Sequence, residues 1–116
     1  MISTVDVETS YQKTEHGGMD PLPFNPKNIL VSVGINDEYY FTNHSERVDE
    51  GCYYKIQAIL DQTTLLIGHN IKFDLIWLLE AGFKYKGKVY DTMIGEYVLN
   101  RGIRKSLTLQ MCCQRR

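Results

Sequence analysis

Alternation marks the start of the chain, where Ile2-Ser3-Thr4-Val5-Asp6-Val7 reads as a short β-strand with Asp6 near its end. Ile29 to Ile35 is a continuous apolar run broken only by Ser32 and Gly34, the pattern of a buried strand. Asn36-Asp37 supplies a turn into Tyr39-Tyr40-Phe41-Thr42, so strands two and three are expected to form a hairpin. Tyr53, Ile56, Ile59 and Leu60 then recur at helical spacing behind Asp49, a candidate N-cap, and the helix is expected to end before Thr63-Thr64. Leu65 to Gly68 reads as another buried strand. Asn70 is placed to cap a helix from Ile71 to Glu80 with Phe73, Ile76, Trp77 and Leu79 on its apolar face and Gly82 as its stop. Val89-Tyr90-Asp91 is a short strand or turn, Thr92 to Leu99 an amphipathic helix, and Leu107 to Cys113 the start of another.

An antiparallel beginning followed by alternating strands and helices predicts an α/β fold, a mixed sheet with helices packed against it. Residues 11–27 gather Gly17, Gly18, Pro21, Pro23, Asn25 and Pro26 and are expected to form a long loop; the low-periodicity stretch begins at Thr9 and reaches Asn28. At 116 residues the chain is expected to be a single domain, residues 1–116, burying roughly two-thirds of its unfolded surface.

Composition narrows the function classes. A mean hydropathy of −0.29 and the lack of a long apolar run exclude a membrane-spanning chain, so no membrane partner is expected. The opening Met1-Ile2-Ser3-Thr4-Val5 lacks the basic start and apolar stretch of a secretory signal, which predicts a cytoplasmic location. Cys52, Cys112 and Cys113 form no C-x-x-C pair and are expected to be reduced thiols. His16, His44 and His69 show no tight zinc-ligand spacing with Cys52. A net charge of −1 argues against a strongly basic polyphosphate-gripping face. The charges are nonetheless uneven. Lys84, Lys86, Lys88, Arg101, Arg104, Lys105, Arg115 and Arg116 lie late and Asp6, Glu8, Glu15 and Asp20 early, which suits an acidic metal site facing a basic substrate-holding region as well as it suits a solvated surface.

Asp6-Val7-Glu8 puts two carboxylates on one face of a strand, because side chains two apart point the same way. Their repulsion is relieved if a divalent cation sits between them, and Mg2+ or Mn2+ prefers hard oxygen ligands. In isolation such a pair is more often a solvated edge. A second acid, Asp74, lies one turn into the helix behind Gly68-His69-Asn70, where the helix dipole alone would also favour it.

Taken together these segments are specific. Asp6-Val7-Glu8-Thr9-Ser10 resembles the first motif of DEDD-type 3'-5' exonucleases, D-x-E followed by a small hydroxyl residue, and His69-Asn70-Ile71-Lys72-Phe73-Asp74 resembles the second, N-x-x-F/Y-D. Tyr90-Asp91-Thr92-Met93 with Glu96-Tyr97-Val98-Leu99 resembles the aspartate-threonine segment that follows, and Ser106-Leu107 the next helix. The similarity is closest to the proofreading exonuclease domain of bacterial and phage family A DNA polymerases. It implies an RNase H-like fold whose first three strands are antiparallel and whose later strands are parallel.

The resemblance further implies two-metal-ion hydrolysis of the terminal phosphodiester of single-stranded DNA, releasing nucleoside 5'-monophosphates. Asp6 would bridge two Mg2+ or Mn2+ ions, Glu8 would bind one and Asp74 would help hold the other. Thr9 would hydrogen-bond the terminal nucleotide. Asn70 would orient the substrate backbone, although capping would explain it fully, and Phe73 would either pack beside a base or, more simply, fill the core. Asp91 is read as structural or as an acid supporting the ligands. The implied partners are a single-stranded DNA 3' end and a polymerase domain or subunit, in a proofreading or nucleotide-recycling role in phage or bacterial replication.

The family completes its site with Y-x-x-x-D or H-x-x-x-x-D on a later helix, and no tyrosine here has Asp four positions on. His44 and Asp49 match H-x-x-x-x-D by letters only, lying between the first two motifs in a polar turn. The chain is therefore expected to stop before the last motif and to be weakly active or inactive by itself. Two other readings stand beside the first: a non-catalytic RNase H-like remnant binding nucleic acid or a polymerase partner, and an RNA-directed exonuclease of the same superfamily.

Overall fold

A computed structural model describes residues 1–10, 22–24, 28–43, 49–100 and 107–115. Strands β1 (Ile2–Ser10), β2 (Ile29–Ile35) and β3 (Glu38–Phe41) come first, then α1 (Cys52–Gln62), β4 (Leu65–Gly68), α2 (Ile71–Glu80), β5 (Lys88–Asp91), α3 (Thr92–Leu99) and α4 (Leu109–Arg115). The sheet order is β3-β2-β1-β4-β5. β1, β2 and β3 pair antiparallel, whereas β1, β4 and β5 run parallel, the mixed α/β sheet of an RNase H-like fold.

The period-2 pattern of β1 sorts its side chains. Ser3, Val5 and Val7 are buried while Ile2, Thr4, Asp6 and Glu8 point to the opposite, open face. Ser3 is tolerated in the core because its hydroxyl is 2.8 Å from Thr63 Oγ1. Beneath that face α1 contributes Ile56 and Leu60, α2 contributes Ile71, Trp77 and Leu78, and β2 and β4 contribute Val33, Ile35 and Leu66, making one apolar cluster. Each fully buried aliphatic side chain of this set stabilises the fold by about 1.5–3 kcal/mol.

Several local expectations are corrected. β1 runs on to Ser10, so Thr9 and Ser10 belong to the strand and not to the loop; a register shift between Glu8 and Thr9 lets it continue. Asp49 is not the cap of α1. That position is Gly51 at φ 70°, and Asp49 Oδ2 instead accepts from the Phe41 N–H at 2.9 Å, tying the end of β3 to the start of the helix. Asn70 makes no side-chain cap either: it adopts the left-handed conformation at φ 55°, which Asn tolerates better than most residues. The buried face of α2 is Ile71, Asp74, Trp77 and Leu78, with Phe73 and Ile76 half-buried and Leu79 55% exposed. Seven of its ten residues are apolar, so periodicity gives no unique face.

The stop at Gly82 holds, for a physical reason. At φ 100° it closes a Schellman motif, with Phe83 N–H donating to Leu78 O at 3.0 Å and Gly82 N–H to Leu79 O at 3.1 Å. β2 and α3 have the expected bounds, and the left-handed Asn36 makes the β2–β3 turn. Residues 11–21 and 25–27 of the expected loop, and His16 and His44, lie outside the described residues. None of the three cysteines forms a disulfide; Cys52 and Cys112 are buried and Cys113 is exposed. Among the described residues no helix is long and apolar enough to cross a membrane.

Candidate active site

Because β1, β4 and β5 are parallel, their C-terminal ends share one edge of the sheet. Thr4 is level with Ile67 and β4 ends at Gly68, so Asp6 projects just past the point where the chain turns into α2. Asp74 lies in the first turn of that helix. Topology therefore brings together two acids that are 68 positions apart in the chain, Asp6 and Asp74.

Asp74 is 4% exposed, and its Oδ2 has no hydrogen-bond partner among the described residues. Its carboxyl is pushed up to about 7, first by burial, then by the negative charge of Asp6 and more weakly by Asp91, against the backbone N–H of Val7, which favours the charged form. A buried carboxylate oxygen without a partner is costly, and a cation is the group that would satisfy it.

Asp6 and Glu8 share the open face of β1, as the i, i+2 spacing requires. Glu8 Oε2 accepts from Ser32 Oγ at 3.3 Å, and Ser32 is buried on β2 directly across from it. Sequence reasoning passed over Ser32; its signal was a hydroxyl in the apolar run from Ile29 to Ile35. Thr9 is half-buried just past the register shift, Asn70 is exposed, and Phe73 is half-buried with its ring edge-on to Trp77 at 6.5 Å. That contact and its packing against the core favour a filling role for Phe73.

Asp91 has a defined structural task. Its Oδ1 accepts from the N–H of Met93 at 2.9 Å, capping α3, and from the N–H of Asn70 at 2.9 Å, so one carboxylate fixes both the helix start and the turn leading to Asp74. His69 lies beside it, with Nδ1 2.8 Å from Thr92 Oγ1 and Nε2 against the carbonyl oxygen of Leu107.

Among the described residues no three His, Cys, Asp or Glu side chains gather tightly enough to enclose a metal ion. The pair Asp6 and Asp74 does fit Mg2+ or Mn2+, because such ions keep several waters and are held by one or two carboxylates together with substrate phosphates. Of the late basic residues, the three that are described lie away from the acids. Lys88 opens β5, level with Leu65 at the opposite edge of the sheet, and Lys84 and Lys86 precede it there. Arg101, Arg104, Lys105 and Arg116 lie outside the described residues, as does the side chain of Arg115.

No curated protein matches this chain. A family described as 3'-5' exonuclease matches residues 11–113, which takes in Asp74, Asp91 and Thr92 and begins after Asp6 and Glu8. Exonuclease domains of that family generally use divalent metal ions. With a match over most of its length, a mixed five-stranded sheet, and a buried acid set beside a strand-borne acid, the chain belongs to the 3'-5' exonuclease family, as a DEDD-type member with an RNase H-like fold.

Proposed function

We propose that this chain provides the part of a 3'-5' exonuclease that grips the metal ions and the 3' end of single-stranded DNA, in proofreading or nucleotide recycling during bacterial or phage replication in the cytoplasm. The observation that carries the reading is Asp74: buried, lacking a partner at one oxygen among the described residues, and with its pKa raised first by burial and then by Asp6. Such an arrangement is unfavourable for folding and useful for a cation.

Asp6 and Asp74 would hold the metal, with Glu8 beside them on β1 and steadied by Ser32. Bound there, divalent ions supply neutralisation of phosphate charge and activation of the attacking water. Above about pH 7 Asp74 is deprotonated and presents its free oxygen; below it the proton competes. Thr9, one residue past Glu8, would donate to the terminal nucleotide. The Asp91 carboxylate fixes the Asn70 backbone and so sets the turn that carries Asp74.

One observation favours the second reading, a non-catalytic module docking on a polymerase partner. An open groove of about 810 Å³ lies between α2 and α3, lined by Leu75, Ile76, Leu79, Val89, Ile94 and Val98. The two readings separate on Mn2+-dependent release of mononucleotides from a 3'-labelled single strand, using the chain joined to a helix bearing Y-x-x-x-D. The exonuclease reading predicts release that Asp6→Ala or Asp74→Ala lowers by at least about 10²-fold. Equal release after both substitutions would refute the assigned metal site.

A further inference from the structure

His69 sits where three parts of the fold meet, and its ring is used on both sides. Nε2 faces the Leu107 carbonyl oxygen, which can only accept, so Nε2 carries a proton. In the neutral ring Nδ1 is then an acceptor for the Thr92 hydroxyl at 2.8 Å; the Gly68 carbonyl, at 3.3 Å from the same hydroxyl, is the weaker competitor for its proton. Thr92 begins α3, Gly68 ends β4, and Leu107 lies two residues ahead of α4.

The segment gripped this way has little else to hold it by burial. Leu109 is 55% exposed and Met111 40%, and Cys112 is the buried side chain among those described in α4. Leu109 nevertheless lines a cavity of about 280 Å³ together with Asp6, Gly34, Tyr39, His69 and Thr92. The position of α4 thus decides whether one side of the cavity beside Asp6 is walled or open.

We infer that His69 is a positioning residue, whose imidazole clasps Leu107 and Thr92 and so holds α4 as the wall of the cavity beside Asp6 that receives the nucleic-acid end. The substrate part of this inference rests on the exonuclease reading; the clasp itself does not. With each ring nitrogen already engaged, His69 acts through hydrogen bonds and not as a metal ligand or general base. Two hydrogen bonds close a small contact that burial alone leaves weak.

The test compares wild type with His69→Ala, Thr92→Val and His69→Gln in the full chain. Gln keeps one donor and one acceptor near the positions of the ring nitrogens. Hydrogen exchange of the α4 amides, Mn2+ affinity, and affinity for a short single-stranded DNA in Ca2+ are measured together. His69→Ala is expected to speed α4 exchange about tenfold or more and to weaken DNA binding several-fold, with Mn2+ affinity unchanged; Thr92→Val moves the same way by less, and His69→Gln restores both.

Unchanged α4 exchange in His69→Ala would overturn the clasp. So would exchange that rises equally in β1 to β3, which signals general loosening, or a loss of Mn2+ affinity that Gln does not rescue, which signals a ligand. If wild type binds neither Mn2+ nor DNA, the exonuclease reading fails and the wall loses its substrate role, while the exchange result still decides the clasp.

Discussion

The two faces of the β1 strand differ in how completely they are packed. On one, Val5 and Val7 meet α1 and α2 in a closed apolar cluster with Ile56, Leu60, Leu66 and Trp77. On the other, Asp6 looks out over Gly34 and an open cavity with Glu8 further along the same face, and the helices on the β5 side leave Ile94, Val98 and Leu109 more than half exposed. Asp74 is the exception that joins the two, a carboxylate inside the packed region whose charge is coupled to an acid on the open one. Stability is concentrated where the chain hides apolar surface, and the proposed chemistry lies where the strands end. Among the described residues, the buried side-chain oxygen left without a hydrogen-bond partner, Asp74 Oδ2, marks the connection.

If that division is right, Trp77→Ala should be the most damaging substitution to stability. It is 3% exposed and its removal is expected to cost about 3–5 kcal/mol in a denaturant titration, whereas Leu79→Ala on the same helix, at 55% exposure, should stay within about 0.5 kcal/mol. Similar losses for the two would erase the distinction between the faces.

Asp74→Asn should act in the opposite direction. The folded-state pKa of about 7 lies above the ordinary aspartate value of 3.8, so the folded chain binds more protons between those limits. Stability from this group is therefore complete below about pH 4 and is lost as pH rises through 7. Wild type should lose stability across that window, and the amide, which cannot ionise, should remain flat and be more stable at pH 8, by no more than about 4 kcal/mol. A wild-type profile from this site that rises with pH would contradict the burial of a carboxylate with one oxygen left without a partner.

A smaller effect is expected at the joint between the regions. Asp91→Ala removes the cap of α3 and the tie to Asn70, costing about 1–2 kcal/mol, with exchange rising first at Met93 and Asn70. Loss confined to α3 would mean that Asp91 does not position the turn before Asp74.

Much of this division was legible in the chain. The run from Ile29 to Ile35 could only be a buried strand, and Thr92 to Leu99 has its cap, Asp91, immediately before it. The i, i+2 spacing of Asp6 and Glu8 placed them on one face without ambiguity. What escaped depended on partners distant in sequence. Asp49 and Asn70 are good caps by residue type, yet one is drawn to Phe41 and the other bends left-handed so that its N–H reaches Asp91. The face of α2 was hidden because the helix is apolar nearly all round, and the burial of Asp74 depends on a sheet order that no local pattern contains. Charge distribution along the chain left a basic region facing the acids and a solvated surface equally open; parallel register sends Lys88 to the end of the sheet away from Asp6.

The central claim is that Asp6 and Asp74 hold a divalent cation between the packed and open faces. Mn2+ binding followed by calorimetry from pH 6 to pH 8 tests it most directly. The account predicts that affinity falls up to about tenfold per pH unit below 7, with a proton released on binding there, and that Asp74→Asn and Asp6→Asn each abolish binding. Binding that is equally strong at pH 6 and pH 8, or that survives both substitutions, would contradict it.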